Sequence, residues 1–347
     1  MAYPDVGDLS KATRELFVKS LRSQILYKTP VVESILSRNK MTVSGGKFIE
    51  RLIDTDEIDS LVQDYATNEA LSNSKKDTLA KPRFYWKKST IPLQYDVDEE
   101  TENILAGSTE QLLDLAQHLT KKAQRGMKLW LEKSIFNSAV TTVTSRTDTD
   151  KYCQSLVSAL SHSMATYGTI ARSFTSNGYW LGADPAGLTA SQTATSQTTA
   201  TNMTINNLRK WVYESDVSHY KDDNGDIEIY MCPSLFNKVR AEMESKIQYK
   251  PTGDTQKQGF SKMDLDGMTI VEVPYLQKSS TTKTWVFVLN MNEFELRIHK
   301  DRNFKLTDFV WQGQNANGYD YMLARILFKG NFITWKPNAS MWLSNVS

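Results

Sequence analysis

Hydrophobic positions along this chain fall into two periods, and the switches between them outline its elements. The clearest helical stripe follows Ser108, where Leu112, Leu115, Ala116, Leu119, Ala123, Met127 and Trp130 recur every three or four residues. Ser108 is a good N-cap, and Gln111 three residues on completes a capping box. Glu110 and Asp114 near the start, and Lys121, Lys122, Arg125, Lys128 and Lys133 toward the end, both complement the helix dipole. From Ser108 to about Asn137 the helix would run roughly 45 Å, with Gly126 its one weak position. Such a length suits a spine on which other elements lean.

Strand-like patterns lie on either side of it. Residues 47–53 (KFIERLI) and 83–86 (RFYW) read as extended, with a polar stretch from Asn68 to Thr78 between them as a tip. Farther on, Leu208, Trp211 and Val212 make a short amphipathic helix, and Ile227, Ile229 and Met231 alternate as a strand. Ser234 is placed to cap a helix with Phe236, Val239, Met243 and Ile247 inward. Asp264–Gly267 reads as a turn into a strand over Met268–Val273, with another strand over Trp285–Leu289. Strands at both ends of a helix pair predict a sheet covered by helices. Tyr152–Thr166 has a loose helical pattern (Leu156, Leu160, Met164), and Asn177–Gly182 reads as a turn and a short buried strand. Residues 187–203, GLTASQTATSQTTATNM, are uncharged and low in complexity, which predicts a linker and a subdomain boundary. The last stretch alternates through Met322, Ala324, Ile326 and Phe328, passes Gly330 into Phe332–Trp335, and closes on Met341, Trp342 and Leu343. Chain ends usually fray, so a Trp-rich end predicts packing into a core or against a neighbour.

Composition narrows the function classes. With 347 residues the chain can bury a sizeable core in two or three subdomains. Its 41 basic and 40 acidic residues argue against a broad nucleic-acid-binding stripe. No apolar run reaches a membrane-spanning length, and no secretory leader precedes residue 15. Two distant cysteines, Cys153 and Cys232, make neither a disulfide framework nor a zinc ribbon and fit a reducing origin.

The balanced charge is locally segregated. Residues 47–72 carry Glu50, Asp54, Asp56, Glu57, Asp59, Asp64 and Glu69 against Lys47 and Arg51. Residues 73–90 carry Lys75, Lys76, Lys81, Arg83, Lys87 and Lys88 against Asp77. Neighbouring segments of opposite sign attract either within a hairpin or across subunits, although two solvated faces are the plainer reading. An extended charged arm with little core of its own would normally be ordered on a partner.

Catalytic and metal motifs fail on inspection. Asp222, Asn224 and Asp226 resemble the start of a calcium loop, but Ile227 replaces the required Gly and Pro233 stands at the twelfth position, so a hairpin turn fits better. Ser44-Gly45-Gly46-Lys47 lacks the first Gly of a phosphate loop, and Phe48 stands where a magnesium-binding hydroxyl belongs. The acidic group Asp54, Asp56, Glu57 and Asp59 is better read as a solvated face than as a weak cation site. His118, His162, His219 and His299 have no metal-ligand spacing, and there is no GxSxG. Asn338-Ala339-Ser340 matches a glycosylation sequon that has no meaning without a secretory signal. These readings predict no catalytic residue, no cofactor and no bound metal.

The order of parts carries a resemblance. An N-terminal arm, a charged extended hairpin, a long spine helix, a loop, an α/β unit and a return through aromatic strands resemble the major capsid protein of tailed bacteriophages, the Hong Kong 97 type. Asp301-Arg302-Asn303-Phe304, Gln312-Gly313-Gln314-Asn315, Gly330-Asn331-Phe332 and Trp335-Lys336-Pro337-Asn338 also resemble such coat proteins. The resemblance covers nearly the whole chain and rests on element order more than on motifs. It implies an α+β fold with residues 1–42 as N-terminal arm and 43–96 as E-loop. Residues 97–203 and 296–347 would form the peripheral domain with the spine helix, and 204–295 the axial domain. The N-terminal arm is basic, with Lys11, Arg14, Lys19, Arg22, Lys28, Arg38 and Lys40 against Asp5, Asp8, Glu15 and Glu33.

The resemblance further implies a virion protein, made in the host cytoplasm, whose homo-pentamers and homo-hexamers close an icosahedral shell around non-specifically held double-stranded DNA. Its partners would be copies of itself, a portal, and scaffold or decoration proteins, with no membrane. A long scaffolding extension is absent, which implies the mature form or a separate scaffold. The intersubunit contacts expected from the charge pattern are Glu50, Arg51, Asp54, Asp56, Glu57, Asp59, Lys75, Lys76, Lys81, Arg83, Lys87 and Lys88. The lysine–asparagine cross-link of some relatives has no assignable residues here. The alternatives are an encapsulin-like cargo shell, another virion structural protein such as a tail tube, or a soluble multidomain enzyme. On this reading, reversing Lys87 and Lys88 to Glu impairs assembly more than folding.

Overall fold

The structure is a computed structural model. It describes residues 29–38, 41–55, 61–71, 73–96, 115–136, 153–161, 166–172, 178–183, 202–213, 215, 217, 226–246, 262–311 and 321–347. The chain divides into two compact units, one of residues 1–27, 89–130 and 304–328, the other of 28–88, 131–303 and 329–347.

In the first unit the spine helix α2 (Leu115–Ile135) supplies residues up to Trp130. The stripe expected from the sequence points inward: Ala123 and Met127 are buried, and Leu119 and Trp130 are half-buried. The expected Ser108 cap and Gln111 lie outside the described residues. Gly126 is the weak position expected, because nothing there requires a glycine: a methyl would stand 3.5 Å from Ile91 Cδ1, in ordinary contact. Ile91 belongs to β6 (Lys87–Asp96), which pairs with the long strand β16 (Tyr321–Thr334). The first half of β16 also pairs with β14 (Lys305–Leu306) and β15 (Val310–Trp311). Phe328 receives Trp130 edge-on at 5.7 Å and Phe304 at 5.0 Å between ring centres.

The second unit is built on a five-stranded sheet in the order β10-β11-β9-β12-β17. Its strands are β9 (Ile227–Met231), β10 (Lys262–Leu265), β11 (Met268–Glu272), β12 (Val286–Asn290) and β17 (Met341–Leu343). The expected turn is a tight β10–β11 hairpin, with Asp266 and Gly267 at φ of 53° and 81°, the conformation that an Asp-Gly pair favours. Strand β9 does not alternate as the sequence suggests. All five residues are buried, because β9 is central, parallel to β11 and antiparallel to β12. Two helices accompany these strands, α4 (Ile205–Tyr213) and α5 (Pro233–Lys246). Ser234 is not the cap of α5. It is exposed inside the first turn, while Pro233 opens the helix and the Cys232 carbonyl accepts from Phe236 N–H at 3.0 Å. Phe236 and Val239 face inward as expected, Met243 is half-buried, and Ile247 lies outside the described residues.

The aromatic chain end is packed inside the subunit. β17 completes the sheet beside β12, where Trp342 stacks on Phe287 at 6.3 Å and meets Trp285 edge-on at 5.3 Å. Val346 N–H donates to Thr284 O, and Ser347 O accepts from Met203 N–H. Two weaker expectations change. Only Leu156–Leu160 of the 152–166 segment is described as helix (α3), opened by a Ser155/Ser158 capping box. The short strand expected within 177–182 is a 3-10 turn over Gly178–Trp180.

Helix α1 (Pro30–Ser37) is held at both ends by carboxylates far away in sequence. At its start, Val31 and Val32 donate their N–H groups to Glu132 at 3.3 and 3.0 Å, in the manner of an anion at a helix N-terminus. At its end, Arg38 pairs with Asp226 at 2.5 Å and Glu228 at 2.8 Å, and Ser34 donates to Glu228 at 2.8 Å. The Tyr230 hydroxyl also donates to Glu228. Asp226, the third of the residues that resemble the start of a calcium loop, therefore serves as an arginine partner.

Burial pushes the Glu132 carboxyl up to about 7, against the pull of the Val32 and Val31 N–H groups, and nearby Glu33 adds to the rise. A carboxyl raised in the folded state keeps a proton that the unfolded chain has lost. Stability therefore falls as pH rises from about 4.5 through about 7, by a total on the order of 3 kcal/mol. Glu132→Gln removes that titration. Urea unfolding between pH 5 and 8 should show a flattened slope in the variant, and an unchanged slope would contradict the assignment.

Candidate functional site

The most distinctive feature of the second unit is an extended arm over residues 48–86. Its base is a two-stranded ribbon in which β2 (Phe48–Glu50) pairs with β5 (Arg83–Tyr85), Phe48 opposite Tyr85 and Glu50 opposite Arg83. Beyond it, β3 (Ile53–Asp54) pairs with β4 (Leu79–Ala80), and Thr55 closes the ladder with N–H and hydroxyl bonds to Thr78 O at 2.8 and 2.7 Å. Both segments read as extended in the sequence do form strands, with the polar stretch between them.

The two ends of the arm differ sharply. At the root, Phe84 is fully buried, edge-on to Tyr167 at 5.0 Å and to Trp335 at 5.6 Å. Tyr167 lies on β7 (Thr166–Tyr167), whose hairpin with β8 (Ile170–Ala171) turns at Gly168. Gly168 has φ of 57°, and a methyl there would approach Phe84 Cζ to 2.6 Å, so the position requires Gly on both grounds. The Gly168 carbonyl accepts from Arg83 N–H at 2.7 Å. The Tyr85 carbonyl accepts from the Asn331 side chain at 3.0 Å, and the Trp86 indole donates to Gly46 O at 2.9 Å. Tyr167, whose hydroxyl accepts from Thr334 N–H at 3.1 Å, is held well above the usual phenol range by burial.

The outer part is far more exposed. Residues 62–71 are all exposed, and large apolar side chains stand in water there: Leu52 at 64%, Val62 at 77%, Tyr65 at 68%, Leu71 at 55% and Leu79 at 60% exposure. Several such side chains on one extended ribbon mark a surface suited to a partner. Sequence reasoning missed them, because they are spread through an acidic stretch with no period to reveal a common face.

The charged residues singled out in the sequence divide into three groups. Glu50, Lys81 and Arg83 meet within the ribbon, with Glu50 at 2.5 Å from Lys81 and 2.6 Å from Arg83. The attraction between the oppositely charged segments is thus realised at least partly inside one chain, and both cations hold the Glu50 carboxyl below its usual range. Arg83 also lies 4.6 Å over the Phe48 ring. Arg51 sits at the root, 3.9 Å from Glu295 and 5.9 Å over Trp335. Lys87 is 3% exposed and lies 5.8 Å over Tyr85. Asp54, Lys75 and Lys88 are exposed, Lys76 is half-buried, and Asp56, Glu57 and Asp59 lie outside the described residues. The paired reversal of Lys87 and Lys88 therefore cannot separate assembly from folding, because Lys87 is an interior residue of the subunit. Lys88→Glu alone is the surface variant.

Among the described residues no three His, Cys, Asp or Glu side chains form a metal-sized cluster, and no helix is long and apolar enough to cross a membrane. Cys153 and Cys232 are both buried thiols. His299, half-buried, faces Trp86 edge-on at 5.4 Å and lies 3.5 Å from Asp301. What the site offers chemically is a rigidly rooted ribbon carrying an uncovered apolar and acidic outer limb.

No protein-family model matches the sequence, and no curated protein does. Solved structures match along nearly its whole length. The capsid asymmetric unit of cyanophage A-1(L) superposes with a TM-score of 0.65 at 12% identity, over 95% of this chain and 96% of that one. The capsid of a native GTA particle gives 0.54 at 10% identity, over 95% and 94%. The holo-SrpI encapsulin complex from Synechococcus elongatus gives 0.51 at 12% identity, over 100% and 97%. The chain has the Hong Kong 97-type capsid fold, with mixed helix and strand, as the order of its parts suggested.

The root and the outer limb respond differently to mutation. Phe84→Ala should cost about 3–5 kcal/mol in chemical denaturation, since it empties an aromatic site. Tyr65→Ala, at an exposed position, should leave the midpoint of the isolated subunit nearly unchanged. Equal losses for the two would contradict the division.

Proposed function

We propose that this chain is the repeating subunit of a closed icosahedral shell, the major capsid protein of a tailed phage, assembling as pentamers and hexamers around double-stranded DNA. The observation that carries the reading is the rooted arm with its bare outer limb, within a fold that is shared along about 95% of the chain with capsid subunits. An isolated two-stranded ribbon is marginal in water, so a fixed arm of this kind fits a subunit completed by its neighbours. Many weak contacts repeated around a closed shell give collective stability while each stays reversible during assembly.

The roles assigned above follow from that reading. Residues 43–96 act as the E-loop and 204–295 as the axial domain, with the spine helix in the peripheral domain. Partners are copies of itself, a portal, and scaffold or decoration proteins, with DNA held non-specifically. The protein works in the virion after assembly in the host cytoplasm, and it is structural, without catalysis. A second reading, a cargo shell, is favoured by the whole-length likeness to an encapsulin.

The test is to express the chain, image purified assemblies by negative-stain electron microscopy, and weigh them by light scattering. Closed polyhedral shells, or rings of five and six, are expected. A stable monomer or small dimer, even with a candidate scaffold added, would overturn the proposal. The contents separate the two readings: DNA and packaging partners fit the virus, and an enclosed enzyme fits the cargo shell. Replacing residues 56–77 with a short Gly-Ser linker should abolish shells while leaving a folded subunit. Normal shells from that variant would contradict the role given to the arm.

A further inference from the structure

One face of the spine helix carries charge of a single sign. Lys121, Lys122, Arg125 and Lys128 of α2 are all exposed, and residues 115–131 contain no Asp or Glu. At about 100° per residue the four fall within an arc of roughly 120°. Ala123 and Met127, both buried, stand on the other side of the helix. The stripe therefore points away from the core, over about 10 Å of helix axis. All four cations belong to the first unit.

The helix itself has no use for this pattern. Its dipole acts chiefly within the last turn, where Lys133 stands, and Lys121 to Lys128 precede that turn. The pairs 121–125, 122–125 and 125–128 place like charges three or four residues apart, which opposes helix formation. Glu132, four residues after Lys128, is buried and accepts from the Val31 and Val32 N–H groups instead of meeting a cation. Among the described residues no carboxylate pairs with Lys122, Arg125 or Lys128. The pattern therefore suits an anionic partner from outside the chain. An acidic protein is the lesser fit, because protein interfaces bring an apolar centre and no large apolar side chain of residues 118–130 is exposed. A phosphate backbone asks only for a run of cations. Balanced charge over the whole chain does not preclude such a run on one helix.

We propose that the Lys121–Lys122–Arg125–Lys128 face of α2 binds the phosphate backbone of double-stranded nucleic acid without regard to sequence. That this nucleic acid is the enclosed DNA rests on the shell reading, which the inference deepens by naming the surface that holds it. The face supplies positive charge and N–H donors to phosphate oxygens, and contacts of that kind position a duplex without reading its bases. Binding releases counterions from the duplex, so it weakens steeply as salt rises.

The test uses the full chain and the fluorescence anisotropy of a short labelled DNA duplex of arbitrary sequence, measured from low to physiological salt. A face variant carries Lys122→Gln, Arg125→Gln and Lys128→Gln, which keep helix propensity. A control variant carries Lys238→Gln, Lys283→Gln and Lys300→Gln, three exposed lysines elsewhere. The face variant should bind at least about tenfold more weakly than the native chain at low salt. Its slope of log affinity against log salt should flatten by about 2.7, at about 0.9 for each lost contact. The control should stay within about twofold of native. Thermal unfolding should find the face variant no less stable than native, since like-charge pairs are removed. Equal losses in the two variants, or none in the face variant, would overturn the inference. Displacement of the duplex by polyglutamate as readily as by unlabelled DNA would overturn it in favour of an acidic protein partner. Lys122→Gln and Lys128→Gln made singly should each flatten the slope by about 0.9, which keeps the question decidable if the triple variant does not fold. A native chain that forms shells but binds no duplex would overturn this inference alone. One that binds the duplex through this face and forms no particle, even with a candidate scaffold added, would overturn the shell reading alone.

Discussion

A two-stranded ribbon cannot bury its own side chains. Each face has one layer of residues and nothing above it, so whatever position the arm takes must come from what it touches. Every notable feature of the second unit answers that constraint at one end or leaves it open at the other. At the root, Phe84 enters an aromatic box of Tyr167 and Trp335, while Gly168, Asn331 and Gly46 receive or give the backbone and indole hydrogen bonds of the returning limb. Those partners come from separate stretches of the chain, which makes the root a product of the finished fold. Beyond Thr55 and Thr78 the described residues are mostly exposed, and Val62 and Tyr65 stand in water.

The same logic governs the other long-range anchors. Trp342 and Met341 bring the chain end back as an edge strand of the five-stranded sheet, which covers β12 and ties residues 341–347 to Thr284 and Met203. Helix α1, eight residues long, would not persist by itself, and Glu132 and Glu228 hold its two ends. A buried carboxylate is a costly way to cap a helix, and its cost depends on pH. Ties of this kind let short and extended pieces hold a defined place without a large core of their own.

Much of this was legible in the sequence, for identifiable reasons. The spine helix, the Asp-Gly hairpin, the central strands and the packed Trp-rich end follow from local periodicity and turn chemistry, which are written in neighbouring residues. The Glu50–Lys81–Arg83 pairing was foreshadowed by the segregation of charge along 47–90. What was not legible depends on distant partners. Nothing near Glu132 announces that Val31 and Val32 will meet it, and nothing near Lys329 announces that its ammonium will lie over the Trp86 ring. Lys87 looks like one more surface lysine in a basic run, yet it is buried, with its ammonium 5.8 Å over the Tyr85 ring. The cap of α5 was misplaced by two residues, because Pro233 opens the helix directly after Cys232 and leaves Ser234 inside the first turn.

The central claim is that the arm is built in two stages, a root made by its own subunit and a limb ordered by a neighbour. Hydrogen–deuterium exchange on matched samples of dissociated subunit and assembled particle tests it most directly. The account predicts that the Ile49, Arg83 and Phe84 amides are protected in both samples, while amides of residues 61–78 exchange rapidly in the subunit and slowly in the particle. Strong protection of 61–78 in the dissociated subunit, or none in the particle, would contradict it.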